Sequence, residues 1–595
     1  MPTPSPYAAA SLALAHQHLS AGRAREARAL LERAIESEPD SPELRAALAL
    51  ACAMNGANHD AIPHFDRALA LSPDDPALLT NYAKVLIDER RHDRAIELLE
   101  RAREIAQRTH ADDPSLAINL CAAYRGANRP VAALEAIEPT GERSPSHPAI
   151  ALARATCWFN LGHAQKAADV LREAIRANPD RHDLRSLLCA TLNYIPGVSP
   201  ADLLAAHRQY ADTLSSLWPA PARRDRPPRD ASRPLRVGFV SGDLFTHSVS
   251  YFLLPLLRHL DRSRVFVACY SMSGTIDGAT ADLRAHADLW RDAGALNLAA
   301  LRAAIAEDAI DVLIDLSGHM QRHRLVLFHA RAAPVQATWL GYPATTGVRD
   351  MDFRLVDSTT DPAGSESHAS ESLVRLDPCF LCYESSRQRP EPVPRQPEEP
   401  IVFASFNNLQ KLNEPLLRLW GRVLDAAPGS FLALKSRELR SPEARRHTIA
   451  RWASLGLPVE RLRVLPGTPT HAEHLRMYDA VDIALDTYPY HGTTTTCEAL
   501  SMGVPVVTLL GDRHAARVGA SILRAIGMEE CIAPSEDEYV RIASDLARDR
   551  ARLAALRASL PARLPASPLC DAPAFARRFA DAMHQMSERA AREAR

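Results

Sequence analysis

The sequence predicts an all-α repeat solenoid followed by two doubly wound, Rossmann-like α/β domains that face each other across a cleft. Three observations carry this. Small residues recur at a spacing of 34 through the first 180 positions, short β-branched runs alternate with helical stretches from Leu235 onward, and a proline-rich segment divides that second region in two. At 595 residues, 46% of them hydrophobic, the chain is too long for one core and apolar enough to fill several.

The repeat is read from Gly22, Ala27, Ala34 and Pro39, which return as Gly56, Ala61, Ala68 and Pro73, each 34 positions on. Ala95 and Ala102 continue the series, and Gly162, Ala167, Ala174 and Pro179 renew it. Small residues where two helices approach, a glycine in the turn and a proline after the second helix form the tetratricopeptide signature. The third and fourth units depart from it, with Arg90 at the turn-glycine position and Gly126 out of phase by two. Each unit is expected to be an antiparallel helix pair, and stacked pairs make a concave surface suited to polypeptides. Residues 181–217 still read as helical, which places the solenoid over 1–217. The stretch "WPAPARRDRPPRDASRP" then excludes regular helix and marks a linker at 218–234.

From there the pattern is strand and helix in alternation. "LRVGFV", "VFVACYS", "DVLIDLS", "PVQATWL" and "FRLVD" are the expected strands of a first half over 235–388. After the proline-rich linker at 389–400, "IVFASF", "FLALK", "LRVLPG", "VDIALDT" and "VPVVTLL" supply those of a second half over 401–588. Alternation of this kind implies parallel sheets covered by helices on both faces, with ligands bound beyond the carboxyl ends of the strands.

A formal net charge of −2 gives no field to attract nucleic acid or an anionic membrane, so neither is expected as a partner. Cys379 and Cys382 form the one close cysteine pair, with no second pair or nearby histidine to complete a zinc site, and are expected to pack as apolar residues. The opening "MPTPSPYAAA" lacks a basic region before an apolar core, and no apolar run matches a membrane helix. A soluble, reducing, cytoplasmic setting is expected. Among 70 basic residues only Lys84, Lys166, Lys411 and Lys435 are lysines.

Chemistry is expected at the strand ends. In "DTYPYHGTTTTCEALSMGVPVVT", Thr493 to Thr495 fall at a helix N-terminus just past a strand. Free backbone N–H groups, the helix dipole and hydroxyl donors suit a phosphate there, although a lone threonine cap reads the same way. In "ASFNNLQKLNE", Lys411 follows another strand; its compact ammonium suits a phosphate in a chain that otherwise uses arginine. Asp243 and His247 follow the first strand, where a histidine can act as base or donor, and His319 occupies a similar loop with weaker support. Gly341 in "WLGYPATTG" permits close backbone approach to a ligand. His471 and His474 precede a helix; an imidazole there can stack on a base, while a metal lacks a third ligand.

Taken together, "RVGFVSGDLFTHSVSYFL", "HARAAPVQATWLGYPATTG", "FASFNNLQKL", "DTYPYHGTTTTCEALSMGVPVVTL" and "RVGASIL" resemble, in order, the catalytic region of glycosyltransferase family 41, the O-GlcNAc transferase and SPINDLY-like glycosyltransferases. The preceding repeats extend the resemblance over almost the whole chain. It implies a GT-B fold and inverting transfer of GlcNAc from UDP-GlcNAc to Ser or Thr of acceptor proteins presented by the solenoid, without metal or other cofactor. By position, Lys411 matches the lysine at the donor pyrophosphate, Thr494 and Thr495 the threonine pair beside it, His474 the histidine near the uridine, and His247 an active-site histidine once assigned as base. The "GYP" loop, Gly341, Tyr342 and Pro343, is assigned to the same UDP-sugar site.

Several positions depart from the animal members. Glu498 stands for an Asp that holds the ribose, Thr493 for a His, Asn408 for a Gln, Ala344 for a Gly, and Asp311 for a second active-site histidine. These positions put donor choice in question. The alternatives are the same fold with another donor or acceptor, UDP-glucose to Asn or GDP-fucose, a small-molecule or polysaccharide enzyme of the same fold, and a repeat adaptor with weak catalysis.

Overall fold

The computed structural model describes residues 5–109, 113–219, 232–385, 389–396 and 398–593. Most of the expected linker at 218–234 lies outside these residues. The chain forms two compact units, Met1–Cys157 and Trp158–Arg595. Among the described residues no helix is long and apolar enough to cross a membrane.

The first unit is a run of antiparallel helix pairs, beginning with Pro6–Ser20 and Ala24–Ser37, then Pro42–Met54 and Asn58–Leu71, then Pro76–Asp88 and His92–Thr109. Ala27, Ala34, Ala61, Ala68, Ala95 and Ala102 are fully buried, so the conserved spacing marks the contacts where helix backbones approach. The turn glycines Gly22 and Gly56 adopt positive φ, and the irregular units keep the same turn with Arg90 (φ 60°) and Asn128 (φ 57°). The turn geometry survives loss of the glycine at a modest backbone cost.

In the second unit β1 (Leu235–Ser241), β2 (Val265–Ser271), β3 (Leu289–Asp292), β4 (Val312–Asp315), β5 (Val335–Thr338), β6 (Phe353–Val356) and β7 (Ser372–Arg375) form a parallel sheet in the order β3-β2-β1-β4-β5-β6-β7. The other sheet contains β8 (Val402–Ser405), β9 (Phe431–Ser436), β10 (Leu462–Pro466), β11 (Ile483–Leu485), β12 (Val506–Leu509) and β13 (Ile532–Ala533), in the order β10-β9-β8-β11-β12-β13. This is the predicted pair of doubly wound halves, with β3, β7 and β13 added.

Two boundaries differ from the sequence reading. The helices His182–Leu192 and Pro200–Leu217, expected at the end of the solenoid, belong to the unit that holds the sheets, as does Ala164–Ala177, the second helix of the last repeat. The reason is polar: Ser186, Asn193 and His207 hydrogen-bond into the loops after β4 and β5. The last helix, Ala572–Glu593, begins within the expected second half but covers the first sheet. Its Phe575 stacks on Trp339 and its Phe579 on Phe239, each with ring centroids 6.1 Å apart. Phe575 and Phe579, one turn apart, therefore face that sheet together.

Buried polar contacts join the halves. Ser521 Oγ donates to Asp357 Oδ2 at 2.5 Å, Arg517 Nε to the Thr359 carbonyl at 2.6 Å, and His514 Nδ1 lies 2.5 Å from Asp361 Oδ2. Arg354 and His514 hold the Asp361 carboxyl well below the usual carboxylate range despite its burial.

Candidate functional site

The site is built where the second sheet changes direction. β8 and β11 are neighbours, but β8 leads to β9 on one flank and β11 to β12 on the other. The loops after them therefore diverge and open a crevice at the strand ends. Asp486 holds the loop after β11: Oδ1 accepts the N–H groups of Thr487 (2.9 Å) and Gly492 (2.7 Å), and Oδ2 accepts the Thr508 hydroxyl (2.8 Å). His491 Nε2 donates to the Leu509 carbonyl at 2.9 Å, leaving Nδ1 to accept the Gly519 N–H at 3.1 Å. That pairing requires a neutral ring, as its burial favours.

The loop delivers the chain into the helix Thr494–Ser501. Thr493 occupies the cap position without a side-chain capping bond, and the Thr494 hydroxyl is buried with no partner among the described residues. First-turn N–H groups have no intrahelical acceptor and carry the positive end of the dipole. Uncapped donors, an unpartnered hydroxyl and this dipole are the elements that favour an anion at a helix N-terminus. Thr496 is buried against the core at 3% exposure, an ordinary helical residue.

Lys411 reaches the same place from the loop after β8. Its Nζ donates to Asn407 Oδ1 at 2.9 Å and to the His491 carbonyl at 2.8 Å, and it lies 5.0 Å from the centre of the Tyr490 ring. Asn407 Oδ1 also accepts the Thr495 hydroxyl at 3.0 Å, so one oxygen ties the lysine to the threonine helix. Burial lowers the Lys411 pKa to about 8, opposed by Asp486. Two of the three ammonium donors are engaged, which leaves one for a ligand. Asn408, at the turn before Lys411, is exposed. Asn407, His491, Asp486 and Tyr490 are parts of this site that sequence reasoning did not single out.

A second cluster lies beyond the threonine helix. Lys435, at the end of β9, donates to His474 Nδ1. His474 therefore carries its proton on Nε2, which donates to Glu498 Oε2 at 2.9 Å. His471 Nδ1 approaches the other Glu498 oxygen at 3.6 Å. Burial lowers the Lys435 pKa to about 8, opposed by Glu498. The His474 ring is thus held by its edge on both sides, as a stacking platform requires. Lys435 was overlooked, although the rarity of lysine that drew attention to Lys411 applies to it equally.

The first half brings His247 and Asp243 to the end of β1. His247 caps the helix Ser248–His259, its Nδ1 accepting the Val249 N–H at 3.3 Å and lying 4.0 Å from Asp243 Oδ2. In the neutral ring the proton is then on Nε2, which suits donation to a substrate oxygen better than proton abstraction. Desolvation lowers its pKa; Asp243 opposes this, and Arg437, just after β9, adds to it. Tyr251 of the same helix stacks on His471 at 5.7 Å, so the two halves meet beside the His474 cluster.

Other expected residues take structural places. A Cβ at Gly341 would lie 1.8 Å from the Leu316 carbonyl oxygen, so the glycine lets its loop pack directly on the neighbouring one. The Tyr342 hydroxyl accepts from Asn193 Nδ2 at 2.9 Å and donates to His207 Nε2 at 2.7 Å, which ties its loop to the helices before the first sheet. Pro343 beside it is partly exposed. Asp311 precedes β4 at its amino end, paired with Arg233 at 2.7 and 2.8 Å, and so lies at the edge opposite the site rather than in it. His319 is buried, its Nε2 donating to the Thr346 carbonyl and its Nδ1 accepting from Ser186, each at 2.9 Å. Cys189 brings its sulfur close to His207 and His319, but the nitrogens of both rings are already engaged, which argues for a brace rather than a ligand set. Cys379 and Cys382 are buried in the core.

The sequence family described as Glycosyl transferase family 41 matches residues 219–390 and 392–579, and tetratricopeptide-repeat families match 12–76, 53–117 and 122–182. Proteins named probable UDP-N-acetylglucosamine--peptide N-acetylglucosaminyltransferase SPINDLY are similar to this chain. The Arabidopsis thaliana relative is 36% identical over 67% of this chain and 44% of its own length. The Oryza sativa subsp. japonica relative is 37% identical over 70% of this chain and 46% of its own. The chain thus spans less than half the length of these curated relatives. Among solved structures, a mutant Thermobaculum terrenum O-GlcNAc transferase matches over 100% of both chains, with 31% identity and a TM-score of 0.69.

Proposed function

The chain belongs to glycosyltransferase family 41, and from that premise we propose that it transfers N-acetylglucosamine from UDP-N-acetylglucosamine to Ser or Thr hydroxyls of acceptor proteins, with inversion and without a metal. One observation carries the reading: Asn407 ties the Lys411 ammonium and the uncapped threonine helix to a single point at the carboxyl edge of the second sheet. A nucleotide diphosphate laid there meets a positive charge, backbone N–H groups and the Thr494 hydroxyl. As the bond from the anomeric carbon to the β-phosphate oxygen breaks, negative charge grows on that phosphate, and fixed donors stabilise it more than they do the ground state. The His474 ring supports the base, Glu498 lies where a carboxylate can accept ribose hydroxyls, and His247 donates to the sugar or acceptor. Holding donor and acceptor in line removes orientational entropy from the step. The repeats supply the surface for acceptor proteins.

The test is a donor panel. The protein is incubated with a cell lysate and, separately, UDP-N-acetylglucosamine, UDP-glucose or GDP-fucose, and modified peptides are identified by mass and by residue. N-acetylhexosamine on Ser or Thr is expected, at a rate unchanged by a chelator. Transfer only of glucose to Asn or only of fucose assigns another donor, and no detectable UDP binding by calorimetry returns the chain to a repeat adaptor.

A pH profile follows from Lys411. Its charged form stabilises the departing phosphate, so kcat/KM for the donor is expected to fall with a single-proton slope above about pH 8. In kcat the same limb moves to higher pH, because a bound diphosphate favours the ammonium. Steady-state rates across pH 6 to 10 check both, at roughly half-unit intervals.

A further inference from the structure

Lys411 has a second layer of support that the catalytic assignment does not use. The Tyr490 ring beneath its ammonium is stacked on Tyr194, with centroids 4.2 Å apart and planes 15° from parallel. Tyr194 follows the helix His182–Leu192, is 2% exposed, and meets Phe159 edge-on at 4.7 Å. Its hydroxyl accepts a hydrogen bond from Gln410 Nε2 at 3.2 Å. Tyr194 therefore touches the lysine's surroundings twice, through the residue before Lys411 and through the ring under its charge. On the far side Arg451 Nη1 donates to the Leu412 carbonyl at 3.0 Å and to the Leu161 carbonyl at 3.4 Å. The turn Leu409–Lys411 is thus held by contacts that include turn residues preceding the first sheet, Tyr194 through Gln410 and Leu161 through Arg451.

We propose that Tyr194 is a positioning residue for group transfer: it seats the Tyr490 ring under Lys411 and so keeps that ammonium charged and aimed at the departing diphosphate. The proposal rests on the assignment of Lys411 to the diphosphate made above. An ammonium over an aromatic face is favoured in its charged form, and a ring fixed from behind cannot swing away from it. The other titratable groups around Lys411 are Asp486, which favours the ammonium, His491, whose ring is neutral, and Tyr490 itself, whose hydroxyl burial pushes up to about 12. Arg451 stays on the opposite flank, bound to carbonyls.

The test compares Tyr194→Leu, Tyr194→Phe and Tyr490→Leu in the full chain. The Lys411 titration is read by competitive acetylation and peptide mass spectrometry, which a chain with four lysines makes simple to assign. Tyr194→Leu is expected to lower kcat about tenfold, with little change in the donor KM, and to move the Lys411 titration down by about half a unit. Tyr194→Phe keeps the stack and should stay within about threefold of the parent. Tyr490→Leu should reproduce the titration shift, which guards against a Tyr194 variant that fails to fold. A folded Tyr490→Leu or Tyr194→Leu with the parental Lys411 titration and kcat overturns the proposal. Because acetylation is read without turnover, a shifted titration in a chain that transfers no sugar overturns the functional assignment instead, leaving the stack's hold on Lys411 established.

Discussion

Lys411→Ala is expected to lower kcat about 10²–10³-fold, the usual consequence of removing one fixed donor from a developing oxyanion. The fold should persist, because the lysine is only half-buried and its burial already disfavours the charge it carries. Donor affinity should fall less than kcat, since the charge on the phosphate is largest in the transition state. Lys411→Arg should not rescue the loss: Asn407, the His491 carbonyl and the Tyr490 ring enclose a compact ammonium, and a planar guanidinium projects its donors elsewhere. Steady-state kinetics with calorimetric UDP binding separate the two effects. A Lys411→Ala protein with parental kcat would mean that the charge is stabilised by other groups.

The second large effect is at Asp486, whose side chain hydrogen-bonds within the fold. Its carboxylate satisfies the Thr487 and Gly492 N–H groups and the Thr508 hydroxyl, all buried. Asp486→Ala leaves these donors without their acceptor and should cost about 3–5 kcal/mol, with loss of activity as the loop from Thr487 to Thr493 loses its anchor. Asp486→Asn distinguishes structure from charge. Its Oδ1 can still accept the two N–H groups while its amide faces Thr508, so stability should suffer less. Loss of the negative charge near Lys411 should nonetheless move the basic limb of kcat/KM to lower pH. Denaturant unfolding and the pH profile of the two variants check this. Equal pH profiles for the parent and Asp486→Asn would remove Asp486 from the electrostatics of the site.

How far the sequence carried depends on whether the signal is local. β2 was read residue for residue because "VFVACYS" is an almost unbroken apolar run with β-branched and aromatic residues at four of its seven positions. β3, β7 and β13 escaped: β3 is "LWRD" and, like β7, only half-buried, and β13 has two residues, so pairing with a neighbouring strand defines them more than composition does. The threonine helix was legible because a strand, a polar turn and a helix start occur in sequence around it. Tyr194 and Tyr490 are far apart in the chain, and nothing local to either residue announces that their rings meet. Gly341, Tyr342 and Asp311 show the reverse case. Gly341 was read from its residue type and Tyr342 and Asp311 by correspondence with relatives, and none of these readings foresees the contacts of Gly341 with Leu316, Tyr342 with His207 and Asp311 with Arg233.

The central claim is that Lys411 and the N-terminus of the helix Thr494–Ser501 bind the diphosphate of a nucleotide sugar. A crystal structure of the protein with UDP tests it most directly. The account predicts β-phosphate oxygens within hydrogen-bonding distance of Lys411 Nζ, of the first-turn N–H groups and of the Thr494 hydroxyl, with the base against His474. Nucleotide bound elsewhere, or bound there with its phosphates turned away from Lys411 and the threonines, would contradict it.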